Sequence, residues 1–101
     1  MKTAPKRGLA PAHPGEVLRD MWEDLGLTQD EFSKVLGVSR QTVAQLLGCR
    51  RNISADMAHR LARALGTSAE LWMNLQREVD LWQAEITNRK AYSKIRTLEM
   101  V

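Results

Sequence analysis

The chain has 101 residues, enough for one compact domain and too few for two separate hydrophobic cores. Its composition, 44% hydrophobic and 27% charged residues, is that of an ordinary globular protein and excludes wholesale disorder. No apolar run approaches the ~18 residues of a membrane span, Met1–Ala12 lacks a secretory signal, and the single cysteine excludes an internal disulfide, so we expect a cytoplasmic protein with no membrane contact.

The net charge of +3 is unevenly distributed along the chain. Residues 14–36 carry six acidic and two basic side chains, whereas residues 37–60 carry four arginines against one acid. Residues 1–12 contain three bases, two prolines and a glycine without hydrophobic periodicity, which predicts a flexible basic arm. A partner bearing phosphates suits the basic segment, although a charge difference this small is also compatible with a solvated surface.

The chain from Pro14 to Gly37 predicts two amphipathic helices. Pro14 suits the first turn of a helix, and apolar residues then recur at three- and four-residue steps until Gly26 ends the pattern. Thr28 and Glu31 form a capping box that starts a shorter second helix, which ends at Gly37. The side chains expected to face the core are Val17, Leu18, Met21, Trp22 and Leu25 in the first helix and Phe32, Val35 and Leu36 in the second.

A third helix follows after very few residues. Ser39 is suited to cap it, and Gly48 is expected to end it after Leu47. Only Gly37 and Val38 separate the second helix from this cap. Two short helices joined by so few residues must cross at a steep angle, which is the pattern of a helix-turn-helix unit.

Two further helices complete an all-α fold. Ser54 caps a fourth helix that ends at Gly66. A long fifth helix begins at Ser68, and its apolar pattern fades after Asn88, so residues 89–101 are expected to form a charged tail with weak helical character. The inward-facing residues are Met57, Leu61 and Leu65 in the fourth helix and Trp72, Leu75, Val79, Trp82 and Ile86 in the fifth.

The third helix carries a polar face that contains no carboxylate. Arg40, Gln41 and Gln45 lie on one side of it, with the small Ala44 between them. In the DNA major groove, Arg pairs bidentately with guanine and Gln with adenine, so this face predicts base reading in double-stranded DNA. Arginine and glutamine are also ordinary solvent-facing helix residues, so the face alone is compatible with a plain exposed surface. The opposite, apolar face is formed by Val43, Leu46 and Leu47.

Polar and basic residues around this face are candidates for phosphate contacts. Arg50 and Arg51 follow the third helix, and Gln29 opens the second. Backbone N–H groups at the two helix starts add capacity to bind anions. The residues predicted to bind DNA phosphates are Thr28, Gln29, Ser39, Thr42, Arg50 and Arg51.

The apolar stripe of the fifth helix is longer than one face of a four-helix core needs. Part of it is therefore expected to bury against a second copy of the chain, which predicts a homodimer. Such a dimer would set two third helices about 34–36 Å apart, one turn of DNA, on a palindromic operator. Its tryptophans are expected in core or dimer packing rather than in a ligand cage. The residues assigned to dimerisation are Trp72, Leu75, Val79, Trp82 and Ile86.

The stretch LTQDEFSKVLGVSRQTVAQLLGCRRNIS, residues 27–54, resembles the helix-turn-helix of the lambda-repressor-like (XRE) family. The flanks HPGEVLRDMWEDLGLT and LARALGTSAELWMNLQREVDLWQAE are similar to the narrower HigA-type antitoxin group, so the resemblance covers residues 13–86. The matching turn positions are Thr28, Gln29, Gly37, Val38 and Ser39, with Phe32 and Ser33 in place of the usual Leu-Ala and Val79 where many relatives have an aromatic residue.

This resemblance implies an antitoxin that neutralises a HigB-type messenger-cleaving RNase and, as a dimer, represses its own operon. It implies a five-helix lambda-repressor-like helix-turn-helix domain with an extended C-terminal helix at residues 13–88, between the basic arm at 1–12 and the charged tail at 89–101. The base-reading positions of the family fall on Arg40, Gln41 and Gln45, and its phosphate contact in the second helix falls on Gln29.

No catalytic site, cofactor or metal is predicted. His13 and His59 have no cysteine or acidic pair at ligand spacing, and His13 is expected at the start of the first helix. No Ser-His-Asp set or glycine-rich phosphate loop is visible. Cys49 is expected to be an inert loop residue rather than a redox sensor.

Two alternatives to the antitoxin stay open at this point. The first keeps the fold but has no toxin partner, as in a stand-alone or phage-type repressor. The second is a protein-interaction module whose third helix binds a partner helix instead of DNA. Duplex binding that falls steeply with salt argues against the second.

Overall fold

The computed structural model describes residues 9–99, which form five helices and contain no strand. The predicted all-α fold class is confirmed. Most of the predicted basic arm, residues 1–8, lies outside the described residues, as do residues 100 and 101. The helices are α1 (Pro14–Leu25), α2 (Gln29–Leu36), α3 (Arg40–Leu47), α4 (Ala55–Leu65) and α5 (Ala69–Ser93).

Side-chain caps define where the helices begin. Thr28 Oγ1 accepts a hydrogen bond from Glu31 N at 3.0 Å, and Glu31 Oε1 accepts one from Thr28 N at 2.9 Å, which completes the predicted capping box. At the start of α1, as expected, His13 Nδ1 accepts a hydrogen bond from Gly15 N at 2.9 Å. The hydroxyls that cap α3, α4 and α5 belong to Ser39, Ser54 and Ser68.

The end of α3 differs from the prediction. Gly48 has a φ of −88°, and the left-handed residue is Cys49, with a φ of 60°. Arg50 N donates a hydrogen bond to Gln45 O at 2.8 Å, so the chain folds back over the last turn of α3 one residue later than expected. The glycines that end helices with a positive φ are Gly26, Gly37 and Gly66.

The hydrophobic core takes side chains from all five helices. Val35, predicted to be buried, is instead 59% exposed, because α2 turns its Ser33 side toward the core. Leu25 is also exposed, since it is the last residue of α1 before the chain turns at Gly26. The residues with no exposed surface include Leu18 of α1, Phe32 of α2, Val43 of α3, Leu61 of α4 and Trp72 of α5.

The fifth helix continues beyond the point where its apolar pattern fades. Asn88 has non-helical backbone angles, φ −118° and ψ 21°, and marks a kink in α5. Arg89 and Glu85 form an ion pair at 3.6 Å, one helical turn apart, across this kink. Residues 89–93 of the predicted charged tail are therefore helical, and the chain leaves the helix after Ser93.

Candidate nucleic-acid interface

The third helix is anchored through its apolar face. Val43, Leu46 and Leu47 are at most 2% exposed, as predicted. From α1, Arg19 Nη2 donates a hydrogen bond to Leu47 O at 2.6 Å and so satisfies a carbonyl at the C-terminal end of α3. Gly15 lies against the same end of α3, so closely that a Cβ at this position would overlap Leu46 O. These contacts fix the orientation of α3 relative to α1.

The opposite face of α3 is polar and open to solvent. Arg40 and Gln41 are exposed, and Ala44 and Gln45 are half-buried. No acidic residue occurs in α3 or in the loop that connects it to α4. The three predicted base readers therefore lie on the outer surface of the helix, away from its buried side, as the spacing predicts.

The arginines near this face carry charge that no described carboxylate neutralises. Within residues 9–99, the ion pairs involve other bases and include none of Arg40, Arg50 and Arg51, all of which are exposed. Arg60, in the same basic segment, has a structural task instead. It pairs with Asp56 at 2.8 Å and donates to the last carbonyl of α2 at 2.9 Å. The local positive charge available to a phosphate therefore comes from Arg40, Arg50 and Arg51.

The predicted phosphate-binding hydroxyls lie at the starts of α2 and α3. Ser39 Oγ accepts from Thr42 N at 3.0 Å and lies 2.8 Å from Thr42 Oγ1. Thr28 caps α2, and Gln29, the first residue of that helix, is half-buried. These side chains form the two helix N-termini, whose backbone N–H groups attract anions.

One contact between predicted site residues was not visible in the sequence. Arg51 Nε donates a hydrogen bond to Gln45 Oε1 at 3.0 Å. A separation of six residues does not correspond to one face of a helix, so periodicity gives no signal for this pair. The contact depends on the turn at Cys49, which brings the loop back toward α3.

The predicted dimerisation stripe of α5 is divided by the structure. Trp72 is completely buried, and its Nε1 donates to Thr67 Oγ1 at 2.8 Å. Its assignment to a dimer contact is wrong, because the side chain is enclosed within the chain itself. Leu75 also packs, half-buried, against the core. The first part of the stripe therefore serves the fold.

The later part of the stripe keeps surface that the chain does not cover. Val79 and Trp82 are half-buried beside a groove of about 420 Å³, which residues 10–13 also line. Ile86 is 49% exposed. Exposed apolar side chains that the stripe omitted are Leu71, Met73, Leu81, Tyr92, Ile95 and Leu98.

Residues 9–99 contain neither a metal-binding cluster nor a membrane-spanning helix. In the described part of the chain, no three His, Cys, Asp or Glu side chains are grouped so that they could hold a metal ion. His13 caps α1, and His59 is exposed on α4. Between residues 9 and 99, no helix combines the length and the apolarity needed to cross a bilayer.

Comparison with known proteins defines the class of this fold and face. The family model described as Helix-turn-helix matches residues 18–72. Antitoxin HigA-1 of Vibrio cholerae is 38% identical over 71% of this chain and 69% of its own length. The structure of antitoxin GraA in complex with its operator is 36% identical, covers 96% of this chain and 100% of its own, and superposes with a TM-score of 0.85. The chain therefore belongs to the helix-turn-helix family.

The narrower resemblance to HigA-type antitoxins is confirmed as well. The Pseudomonas aeruginosa antitoxin HigA, solved with the higBA promoter, is 42% identical over 88% of this chain and 99% of its own, with a TM-score of 0.82. The predicted lambda-repressor-like architecture is shared with these structures. Their class is that of DNA-binding antitoxins and transcription regulators, not of enzymes, as predicted.

Proposed function

We propose that this protein is the antitoxin of a type II toxin–antitoxin pair, which neutralises a HigB-type RNase toxin and represses its own operon. Repression requires sequence-specific binding to a palindromic duplex by a homodimer. The observation that carries the DNA-binding function is the exposed, carboxylate-free face of α3, held outward by three buried apolar side chains. The HigA and GraA structures with promoter or operator DNA support this function.

Base reading is assigned to Arg40, Gln41 and Gln45. Arg and Gln side chains have the donor and acceptor geometry for the major-groove edges of guanine and adenine, and the half-buried Ala44 leaves room for close approach. The phosphate contacts, which set register without reading sequence, are assigned to Thr28, Gln29, Ser39, Thr42, Arg50 and Arg51.

The two assignments are separated by comparing two arginine variants. Arg40→Ala is expected to cost about 1–3 kcal/mol at the operator and to relax the choice at one base pair, because it removes a reader. Arg50→Ala is expected to weaken binding to all duplexes alike and to lower the salt slope by about one unit, because it removes a phosphate contact. Fluorescence anisotropy over a series of salt concentrations measures both effects.

Arg77→Ala is the matched control, since Arg77 is an exposed arginine on α5 that pairs with Glu78 at 3.6 Å. It is expected to leave operator binding unchanged. Operator affinity that Arg40→Ala does not alter would remove Arg40 from the reading face. Binding without salt dependence would favour a protein-interaction module over a DNA-binding one.

The homodimer is proposed to use the uncovered part of the α5 stripe, which consists of Val79, Trp82 and Ile86. Their remaining exposed surface can be buried by a second copy, whereas Trp72 is already enclosed. A twofold dimer would present two α3 helices to successive major grooves and so match a palindromic duplex.

An antitoxin differs from a stand-alone or phage-type repressor with the same fold in that it binds a toxin. The antitoxin names of the HigA and GraA relatives support the toxin partner. Co-expression with the product of the adjacent gene tests it: a stable complex in which messenger cleavage is suppressed supports the antitoxin, and a gene without such a neighbour supports the alternative. A protein that binds its own operator and such a toxin works in the cytoplasm.

A further inference from the structure

We propose that Arg51 sets the base preference of the DNA-reading face by holding the side-chain amide of Gln45 in one orientation. This inference rests on the proposed DNA-binding function and identifies the residue that tunes one of its readers. It is carried by the hydrogen bond from Arg51 Nε to Gln45 Oε1, 3.0 Å long.

The backbone that follows α3 places Arg51 beside Gln45. Cys49 adopts the left-handed conformation, and Arg50 N donates to Gln45 O at 2.8 Å. The loop therefore lies against the last turn of α3, and the side chain of Arg51 reaches the Gln45 amide. Gln45 is half-buried, so its side chain is more confined than that of a fully exposed glutamine.

The chemistry of the two side chains determines which end of the amide meets Arg51. A guanidinium has donors only, whereas a glutamine amide has an accepting oxygen and a donating nitrogen. Arg51 can therefore bond only to Oε1 of Gln45, because a flipped amide would place N–H groups against N–H groups. The nitrogen, Nε2, is the end directed away from Arg51.

This orientation changes the base edge that Gln45 matches. A bidentate contact with adenine uses both ends of the amide, since the oxygen accepts from N6 and the nitrogen donates to N7. The oxygen keeps a second lone pair, but this lone pair is on the end of the amide that Arg51 holds against the loop, so Gln45 offers chiefly its N–H donors. Those donors match the acceptors N7 and O6 of guanine. Gln45 therefore favours guanine while Arg51 holds it and accepts adenine when it is released.

This role is additional to the phosphate contact assigned to Arg51, and its effect on DNA binding is different. An arginine that only neutralises a phosphate changes the affinity for every duplex and the salt slope together. A positioning arginine changes the discrimination at the one base pair that Gln45 reads. Arg50 is adjacent, exposed and equally charged, which makes it the matched control.

The test uses the full chain as wild type, Arg51→Ala, Arg50→Ala, Gln45→Ala and the Arg51→Ala/Gln45→Ala double variant. The wild type selects duplexes from a randomised double-stranded DNA library. Anisotropy titrations then measure the affinity of each variant for the selected duplex and its single-base variants at several salt concentrations. The base pair read by Gln45 is the one at which Gln45→Ala loses discrimination.

At that base pair we expect the wild type to prefer guanine over adenine. Arg51→Ala is expected to reduce this preference about three- to tenfold, the value of one net hydrogen bond, without altering discrimination elsewhere. In the double variant, loss of Arg51 is expected to change base discrimination no further, because its effect on discrimination passes through Gln45.

Three results would overturn the inference while leaving the DNA-binding function in place. The first is an Arg51→Ala protein that weakens all duplexes alike, as Arg50→Ala does, with an unchanged guanine-to-adenine ratio. The second is a wild-type preference for adenine at the position read by Gln45. The third is a further effect of Arg51→Ala on base discrimination in the Gln45→Ala background. A wild type that selects no duplex at all would overturn the DNA-binding function itself, and this inference with it.

Discussion

The substitution Gly15→Ala tests the close approach of α1 to the end of α3. Gly15 is the second residue of α1 and is buried. A Cβ at this position would overlap Leu46 O and lie 2.9 Å from Cys49 Sγ. The sulfur can rotate away, but the carbonyl belongs to the backbone of α3 and moves only with the helix. The added methyl group must therefore push α1 and α3 apart.

The expected cost follows from two opposing effects. Overpacking a well-packed contact costs about 1–3 kcal/mol. Replacing glycine by alanine in a helix raises the free energy of unfolding by at most about 1 kcal/mol, because alanine has the higher helix propensity. We therefore expect the free energy of unfolding to fall by about 1–2 kcal/mol, which in a domain of this size lowers Tm by roughly 5–15 °C. Operator affinity should also fall, because α3 carries the proposed base readers.

Thermal and urea denaturation followed by circular dichroism measure this change. Ala64→Gly is the control, since Ala64 is exposed on α4 and its exchange reports the glycine–alanine difference without a steric contact. That control should cost about 0.5–1 kcal/mol. A Gly15→Ala protein that is more stable than the wild type by about 1 kcal/mol would refute the close contact, because the gain in helix propensity would then be unopposed.

Two further substitutions test polar contacts between helices and loops. Gln76 is 4% exposed and its Oε1 accepts from Ile53 N at 2.7 Å, so Gln76→Ala should lower the free energy of unfolding by about 1–3 kcal/mol in urea denaturation. The exposed Gln83→Ala should change it by less than about 0.5 kcal/mol, and equal effects would contradict the buried role. Arg60→Ala removes the cap on the last carbonyl of α2 and should cost about 1 kcal/mol while leaving the salt slope of operator binding unchanged. A salt slope reduced as in Arg50→Ala would instead place Arg60 on a phosphate.

The five helices and their starts could be predicted because the interactions that define them are local. A capping box such as that of Thr28 and Glu31 involves residues three apart, and hydrophobic periodicity reports which face of a helix is buried. The outward face of α3 was predictable for the same reason. Its buried residues and its polar residues alternate with the period of the helix.

The extent to which each apolar face is covered could not be predicted from periodicity. Trp72 and Ile86 belong to the same predicted stripe, yet one is enclosed and the other is 49% exposed. Val35 follows the spacing of a buried residue but lies outside the sector that α2 turns toward the core. A hydrophobic stripe identifies the apolar face of a helix. Which element covers that face depends on how the helices are arranged in space.

By itself, the sequence determined the number and order of the helices, the polar face of α3 and the family to which the chain belongs. Only the tertiary structure decided that Arg19 satisfies the end of α3, that Gly15 must lack a side chain, and that Arg51 donates a hydrogen bond to Gln45. The first set arises from interactions within a few residues of the chain. The second depends on the packing of separate helices and on the left-handed turn at Cys49, which no local pattern encodes.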